Sequence, residues 1–419
     1  MPHELLKTLI LGASNPPKSK RLGDSRMSVT NLPFTLAEYV SRIAKVRAAM
    51  EVAGCDVLLV TDPASMAWLT GYDGWSFYVH QAVIVGPVGA PLWWGRAMDA
   101  LGAKRTVYMD ADNIFGYEDT FVQNPDKHPM EDLAQLVKAQ GWAGSRIGLE
   151  MDNYYFTAAA YMSLVQELPE AKWINANVLV NWQRTVKSDA EITYMRRAAR
   201  IVENMHATIL ERAEPGMKKN QLIADIYHAA ISGADGHWGD YPSIVPLAPS
   251  GKDATAPHLT WDDSALQKGE ATFFEIAGVY RRYHAPQSRT LFFGEPPAKY
   301  RAAEAAVLEA VEAGMEQAKP GNFADDIANA FNATLNKLGF EKDSRCGYPI
   351  GLSYPPDWGE HTFSLRRDDK TVLEPGMTFH FMPALWLDDG GIEITEPVLV
   401  TESGAENLCT TPRGLVVKG

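Results

Sequence analysis

Apolar positions recur along this chain with two periods, and the changes of period mark out its elements. In residues 35–54, Tyr39, Ile43, Val46, Ala49 and Met50 fall at helical spacing, which predicts an amphipathic helix. The run Asp56-Val57-Leu58-Leu59-Val60-Thr61 predicts a short buried strand. Residues 82–85 and 90–94 are apolar on either side of Gly86-Pro87-Val88-Gly89, which predicts a hairpin. A helix over 130–140 and a strand over 147–150 follow. Strands alternating with helices in this way indicate a small α/β domain with a mixed sheet.

The pattern changes near residues 184–187. Ser188 followed by Asp189 and Glu191 reads as an N-cap with acidic residues in the first helical turn. The helix predicted from there runs to about residue 212 and shows an apolar face of Met195, Ala198, Ala199, Val202 and Met205. A weak internal repeat follows. Ala213-Glu214-Pro215-Gly216 precedes a helix with Leu222, Ile223 and Ile226, and Ala318-Lys319-Pro320-Gly321 precedes one with Ile327, Ala328 and Phe331. In each, proline stops one helix and glycine turns the chain into the next. The expected organisation is a loose arm over 1–34, a first domain over 35–184 and a second over 185–419.

Composition narrows the functional classes. The 419 residues, 46% hydrophobic and 22% charged, suit a soluble globular protein of two domains. A formal charge of −13 argues against nucleic acid or an anionic membrane surface as partner. Cys55, Cys346 and Cys409 are an odd number and widely spaced, so no disulfide framework is expected, and a reducing, cytoplasmic location is. No apolar run reaches the roughly 18 residues of a membrane span. The short stretch Leu5–Ala13 follows Glu4 rather than a basic region, which argues against a signal peptide, and Met27 is a plausible alternative start.

The chemistry concentrates in four segments. In Phe273-Phe274-Glu275-Ile276-Ala277 a carboxylate lies within an apolar strand, where it needs either a cationic partner, such as Arg281, Arg282 or Arg289, or a function. The segment continues to Pro286 and Arg289-Thr290. The others are Pro249–His258, Arg345-Cys346-Gly347-Tyr348-Pro349-Ile350-Gly351, and Met377–Pro383 with Gly391-Ile392-Glu393-Ile394-Thr395-Glu396. Together these resemble the pita-bread hydrolases: aminopeptidase P, prolidase, methionine aminopeptidase and creatinase. The early segments Val57–Thr61, Trp68-Leu69-Thr70-Gly71-Tyr72 and Arg146–Glu150 resemble the N-terminal domain of creatinase and prolidase. The fold class implied is α+β, a creatinase-like α/β domain followed by a pita-bread catalytic domain.

That resemblance places the five metal-ligand positions of the metal-dependent members at Glu275, Pro286, Tyr348, Met382 and Thr395. Only Glu275 is an ionisable ligand type, and one carboxylate cannot hold two divalent ions. No metal and no other cofactor are expected. The resemblance implies Glu275 as nucleophile or general base and His258 as the proton-handling histidine. The alternative for His258 is a structural loop residue. Tyr72, Trp75, Tyr283, Tyr348, Glu360, His361, Trp386 and Glu396 are the expected substrate-binding residues, with core packing or solvated surface as the competing role for each. Ser353–Gly359 reads as an insertion that blurs the register at Glu360 and His361.

Aromatic faces around one carboxylate suit a small delocalised cation. The resemblance implies, as the expected activity, metal-free hydrolysis of a small cyclic amidine acid of the compatible-solute kind. A creatinase-like amidinohydrolase, a metal-dependent prolidase and a non-catalytic binding module are the alternatives. The resemblance also implies a homodimer in which the loop Gly71–Tyr78 of one copy approaches the partner's active site.

Overall fold

The structure is a computed structural model that describes residues 32–419. The expected arm falls almost wholly outside them, as does the question of Met27. Phe34, at the end of that arm, is buried, with the Arg42 guanidinium 3.9 Å from its ring centre. The chain divides between Leu179 and Val180 into two compact units.

The N-terminal unit begins with helix α1 (Leu36–Ala53). The Thr35 side chain accepts from the Glu38 N–H, and Gly54 ends the helix at φ 74°, a left-handed conformation that suits glycine. Tyr39, Ile43, Val46 and Met50 are buried, as the helical spacing predicts. The strands are β1 (Val57–Val60), β2 (Ala82–Val85), β3 (Leu92–Arg96), β4 (Ile114–Tyr117), β5 (Arg146–Leu149) and β6 (Lys172–Asn175). They form one sheet in the order β4-β3-β2-β1-β5-β6. β2 is antiparallel to β1 and β3, whereas β5 is parallel to both β1 and β6, so the sheet is mixed. A short helix over Pro63–Thr70 is not predicted by periodicity, because all of its side chains are buried and no polar face marks it.

The C-terminal unit opens with helix α2 (Asp189–Arg212), held by a reciprocal capping box between Ser188 and Glu191. It packs on helix α3 (Lys219–Ser232) and on the long antiparallel pair β7 (Ala271–Tyr280) and β8 (Tyr283–Phe293). Helices α4 (Ala298–Met315) and α5 (Ala324–Lys337) form the second pair. Their apolar faces share a core with Phe379, Phe381, Ile392 and Ile394. The remaining strands are β9 (Gly347–Tyr354), β10 (Asp357–Gly359), β11 (Thr378–Phe381), β12 (Ala384–Leu387), β13 (Gly390–Glu393), β14 (Glu396–Thr401), β15 (Gly404–Asn407) and β16 (Val416–Lys418). The main sheet runs β15-β14-β11-β9-β8-β16, with β7 on β8 and β10 on β9. The expected insertion Ser353–Gly359 thus takes in the end of β9, the hairpin turn and all of β10. This is the predicted α+β, pita-bread arrangement.

Every residue of β7 and β8 is buried, which is why their sequences show no polar–apolar alternation. On β7, Phe273 packs with Leu247 and Ala254 on one face, while Gly278 meets α2 on the other. A Cβ on Gly278 would lie 2.1 Å from the Ala198 carbonyl oxygen and 2.5 Å from the Val202 nitrogen, both backbone atoms. Gly278→Ala should therefore destabilise the protein by about 3 kcal/mol, read as a fall in the denaturation midpoint. An unchanged midpoint would show that α2 and β7 are not in this close contact.

Candidate active site

Glu275 lies in the middle of β7, directly opposite Ser288 on β8. Directly opposed residues of an antiparallel pair project from the same face, so Glu275 and Ser288 share a face. The Ser288 hydroxyl donates to Glu393 Oε2 at 3.2 Å. Thr290, two residues on, clamps the Glu393 backbone: its hydroxyl donates to the Glu393 carbonyl at 3.1 Å and accepts from the Glu393 N–H at 2.8 Å. Ser288 is tied to Thr395 as well, its N–H donating to Thr395 Oγ1 at 2.7 Å and its carbonyl accepting from the Thr395 N–H at 3.1 Å.

The opposite wall comes from β9 and β11. His380 and Tyr348 are register partners on these strands. His380 Nε2 is 2.7 Å from Thr395 Oγ1, and its Nδ1 is 3.3 Å from the Tyr348 hydroxyl. The same Nδ1 is 4.0 Å from Glu275 Oε1. Trp358 on β10 donates its indole N–H to the Tyr348 hydroxyl at 2.8 Å. The Arg345 guanidinium lies 4.4 Å from the centre of the Tyr348 ring.

Burial governs the electrostatics. It pushes the Glu275 carboxyl well above the usual carboxylate range, and neighbouring Glu393 adds to the shift. Burial also raises Glu393, to about 7, against the opposing hydrogen bond from Ser288 and the charge of Lys342. His380 is pushed down to about 3 by burial and by Arg345, so it is neutral near pH 7. Tyr348 is raised well above its ordinary value by burial first and by Glu275 second, and stays a neutral hydroxyl. The arrangement can exchange protons near neutrality, and it can receive a cation between two acidic groups.

Two family models match this chain: the Creatinase/Prolidase N-terminal domain over residues 42–186 and metallopeptidase family M24 over 193–402. The chain is 58% identical over 403 residues to a protein of Halomonas elongata named ectoine hydrolase, covering 94% of this chain and 100% of that one. It belongs to the creatinase/prolidase (M24) family. A hydrolase/peptidase of Sinorhizobium fredii with no assigned reaction is 41% identical over 388 residues, covering 92% of this chain and 99% of its own length. Among solved structures, dipeptidase PepE of Mycobacterium ulcerans superposes with a TM-score of 0.76 at 24% identity, covering 92% of this chain and 99% of that one. A prolidase of Thermococcus sibiricus superposes at 0.78 with 18% identity, covering 91% and 99%. These two likenesses establish the fold.

An M24 protein invites the question of a metal centre, and the side chains here do not fit one. Pro286, opposite Ala277, has no donor atom to offer from its side chain. The Tyr348 and Thr395 hydroxyls are both engaged with His380. Met382 offers only a thioether, a poor partner for a hard divalent ion. Among the described residues, no three His, Cys, Asp or Glu side chains converge where they could share an ion.

Of the residues expected to form the site, Glu275 and Tyr348 come together. Trp386 stands nearby, packed at 5.7 Å on Phe273, two residues before Glu275 on the same strand. His258 is exposed on the loop after Gly251–Thr255, in contrast to these buried groups. Glu396 points to the other face of the sheet: it accepts from Gln287, Arg289 and Arg413, and Gln287 and Arg289 flank Ser288 on the opposite side of β8. Tyr283 donates to Glu191 at 2.6 Å and so supports the α2 cap. Glu360 is buried against Lys187 at 2.5 Å and Arg184 at 3.6 Å, a structural ion cluster. His361 is exposed on Asp357 at 2.8 Å. Tyr72 and Trp75 belong to the N-terminal unit. There the Tyr72 hydroxyl is satisfied by Ser76 and Gln81, and Trp75 is 58% exposed beside Phe77.

The arginines expected as structural partners of Glu275 are engaged elsewhere. Arg289 binds Glu396, Arg282 binds Asp240, and Arg281 lies over Tyr194. Sequence reasoning missed His380 and Glu393. Each had a signal: His380 sits between Phe379 and Phe381, and Glu393 between Ile392 and Ile394. Since the apolar neighbours face the helices, the polar residue between them must face the other way.

Because the folded protein holds Glu275 with a raised pKa, its contribution to stability is fully present below the unfolded value of about 4.3 and is lost as pH rises towards the folded value. Glu275→Gln removes this dependence. Melting temperatures should match wild type at pH 4 and exceed it at pH 8, by about 2–4 °C for each kcal/mol relieved. An equal shift at both pH values would show that Glu275 is not held against its charge.

Proposed function

We propose that this chain is a hydrolase that opens the cyclic amidine ring of ectoine to N-acetyl-2,4-diaminobutyrate without a metal ion. The observation that carries the reading is Glu275: a buried carboxyl group with no cationic side chain as partner among the described residues, in a chain 58% identical over nearly its whole length to a protein named ectoine hydrolase. An amidinium is a planar cation. Seated beside Glu275, it supplies the charge that the site lacks and favours the ionised carboxylate. Glu275 then attacks the amidine carbon, or draws a proton from a water that does so. Tyr348, held by Trp358, and Trp386 provide aromatic surface for the ring.

Metal independence is part of this proposal. It rests on Pro286, Tyr348, Met382 and Thr395 at the positions where the metal-dependent members carry ligands. A creatinase-like activity on a guanidino acid is the second reading, favoured by the same carboxylate and aromatic surface. A homodimer is proposed too, supported by exposed Trp75 and Tyr78 on the Gly71–Tyr78 loop. A cytoplasmic setting is supported by three free, buried cysteines. No helix among the described residues is long and apolar enough to cross a membrane.

Purified protein given ectoine should consume it and release acetylated diaminobutyrate, detected by mass spectrometry. Glu275→Gln should keep the fold and lose turnover at least about a thousand-fold. Comparable turnover by the variant would remove Glu275 from the chemistry. No product from wild type, with turnover of creatine or another guanidino acid, would replace ectoine with that substrate class.

A further inference from the structure

Ring opening of an amidinium by one water moves both water protons to the departing nitrogen, which leaves as an ammonium while the water oxygen becomes the acetyl carbonyl. Glu275 can form the bond to the amidine carbon, or steer the water that does, but a second group must serve the nitrogen. His258 is exposed on its loop, whereas Glu275 and the groups around it are buried. Both ring nitrogens of His380 are engaged, with Thr395 and Tyr348. Arg345 lies over the Tyr348 ring and carries no proton that it releases near neutrality.

Resting on the amidine-hydrolase reading above, we propose that Glu393 is the second catalytic carboxylate of the site. Its carboxyl group donates to the ring nitrogen as the C–N bond breaks and the bonding pair passes to nitrogen. With Glu275 bonded to the amidine carbon, the Glu393 carboxylate then takes one proton from the water that adds to that carbon. Collapse breaks the Glu275–carbon bond, leaves the water oxygen as the acetyl carbonyl and passes the second water proton to the freed amine, which departs as an ammonium. One water is consumed, Glu393 returns to its starting form, and no other reactant is needed.

The geometry carries this assignment. Ser288 is the direct cross-strand neighbour of Glu275 and hydrogen-bonds Glu393 Oε2 at 3.2 Å, and Glu393 lies near enough to Glu275 to raise its carboxyl. Thr290 fixes the Glu393 backbone by two further hydrogen bonds. Glu393 is 1% exposed, so water does not level its acidity. The charged or titratable groups that act on it are Glu275 from β7 and Lys342 from the segment before β9, with neutral His380 across the site on β11. A carboxyl group balanced between protonated and ionised near neutrality can give and take a proton within one turnover. Among the described residues, no ion pair holds Glu393 as one holds Glu396 or Glu360.

The test is Glu393→Gln in the full chain, with pH profiles. Turnover of ectoine should fall by about 10²–10⁴-fold with KM within about threefold, and the basic limb of kcat/KM should disappear. Ser288→Ala is the milder variant. It removes the hydrogen bond that favours ionised Glu393, so the basic limb should move up by about one pH unit. Wild-type turnover and limb in Glu393→Gln, or an unmoved limb in Ser288→Ala, would overturn the proposal. An infrared titration of the carboxyl band, free of any substrate, separates this from the choice of ectoine. A band that titrates near pH 7 and vanishes in Glu393→Gln supports the assignment even if ectoine proves not to be the substrate. A band unchanged by that substitution overturns it whatever the substrate.

Discussion

The site depends on one constraint: two carboxyl groups buried near each other, neither in an ion pair with a lysine or arginine among the described residues. Isolated carboxylates are costly inside a protein. The cost here is met by holding protons, not by pairing, which is why both Glu275 and Glu393 are shifted upward. A group kept near its protonation midpoint by burial is a poor structural element and a good chemical one. A cationic amidine entering such a site replaces the missing charge, and binding and activation of Glu275 become the same event.

The other buried acidic residues of the C-terminal unit make the contrast plain. Glu396 is bound by Arg289, Arg413 and Gln287, and Glu360 by Lys187 and Arg184. Removing one member of such a pair costs about 3–5 kcal/mol, because it strands the other charge. These clusters fix the strands whose opposite face carries the chemistry. The strand β8 does both: Arg289 and Gln287 lock Glu396 on one side while Ser288 and Thr290 hold Glu393 on the other. The two-residue period of a strand separates scaffold from site.

Much of the fold was legible because helical spacing and caps are local. Thr35, Gly54 and the Ser188–Glu191 box mark helix ends in the structure as they do in the sequence. Elements buried on every side were harder: the helix Pro63–Thr70 has no polar face to reveal its period. Within the site, the sequence pointed to Glu275, Tyr348 and the neighbourhood of Trp386, because a carboxylate in an apolar strand and a substituted motif position are visible locally. Glu396 and Tyr283 could not be placed that way. Their partners, Arg289 with Arg413 and Glu191, come from segments distant in the chain, and only the register shows that the side chains are already committed. His380 and Glu393 are readable from alternation alone, since each stands between two apolar strand residues.

The central claim is that this M24 chain performs its chemistry with carboxyl groups in place of metal ions. The most direct measurement is ectoine turnover by metal-analysed protein, with and without a strong chelator. The account predicts product at the same rate in both, with substoichiometric divalent metal. Loss of turnover in chelator that returns with an added divalent ion would contradict it.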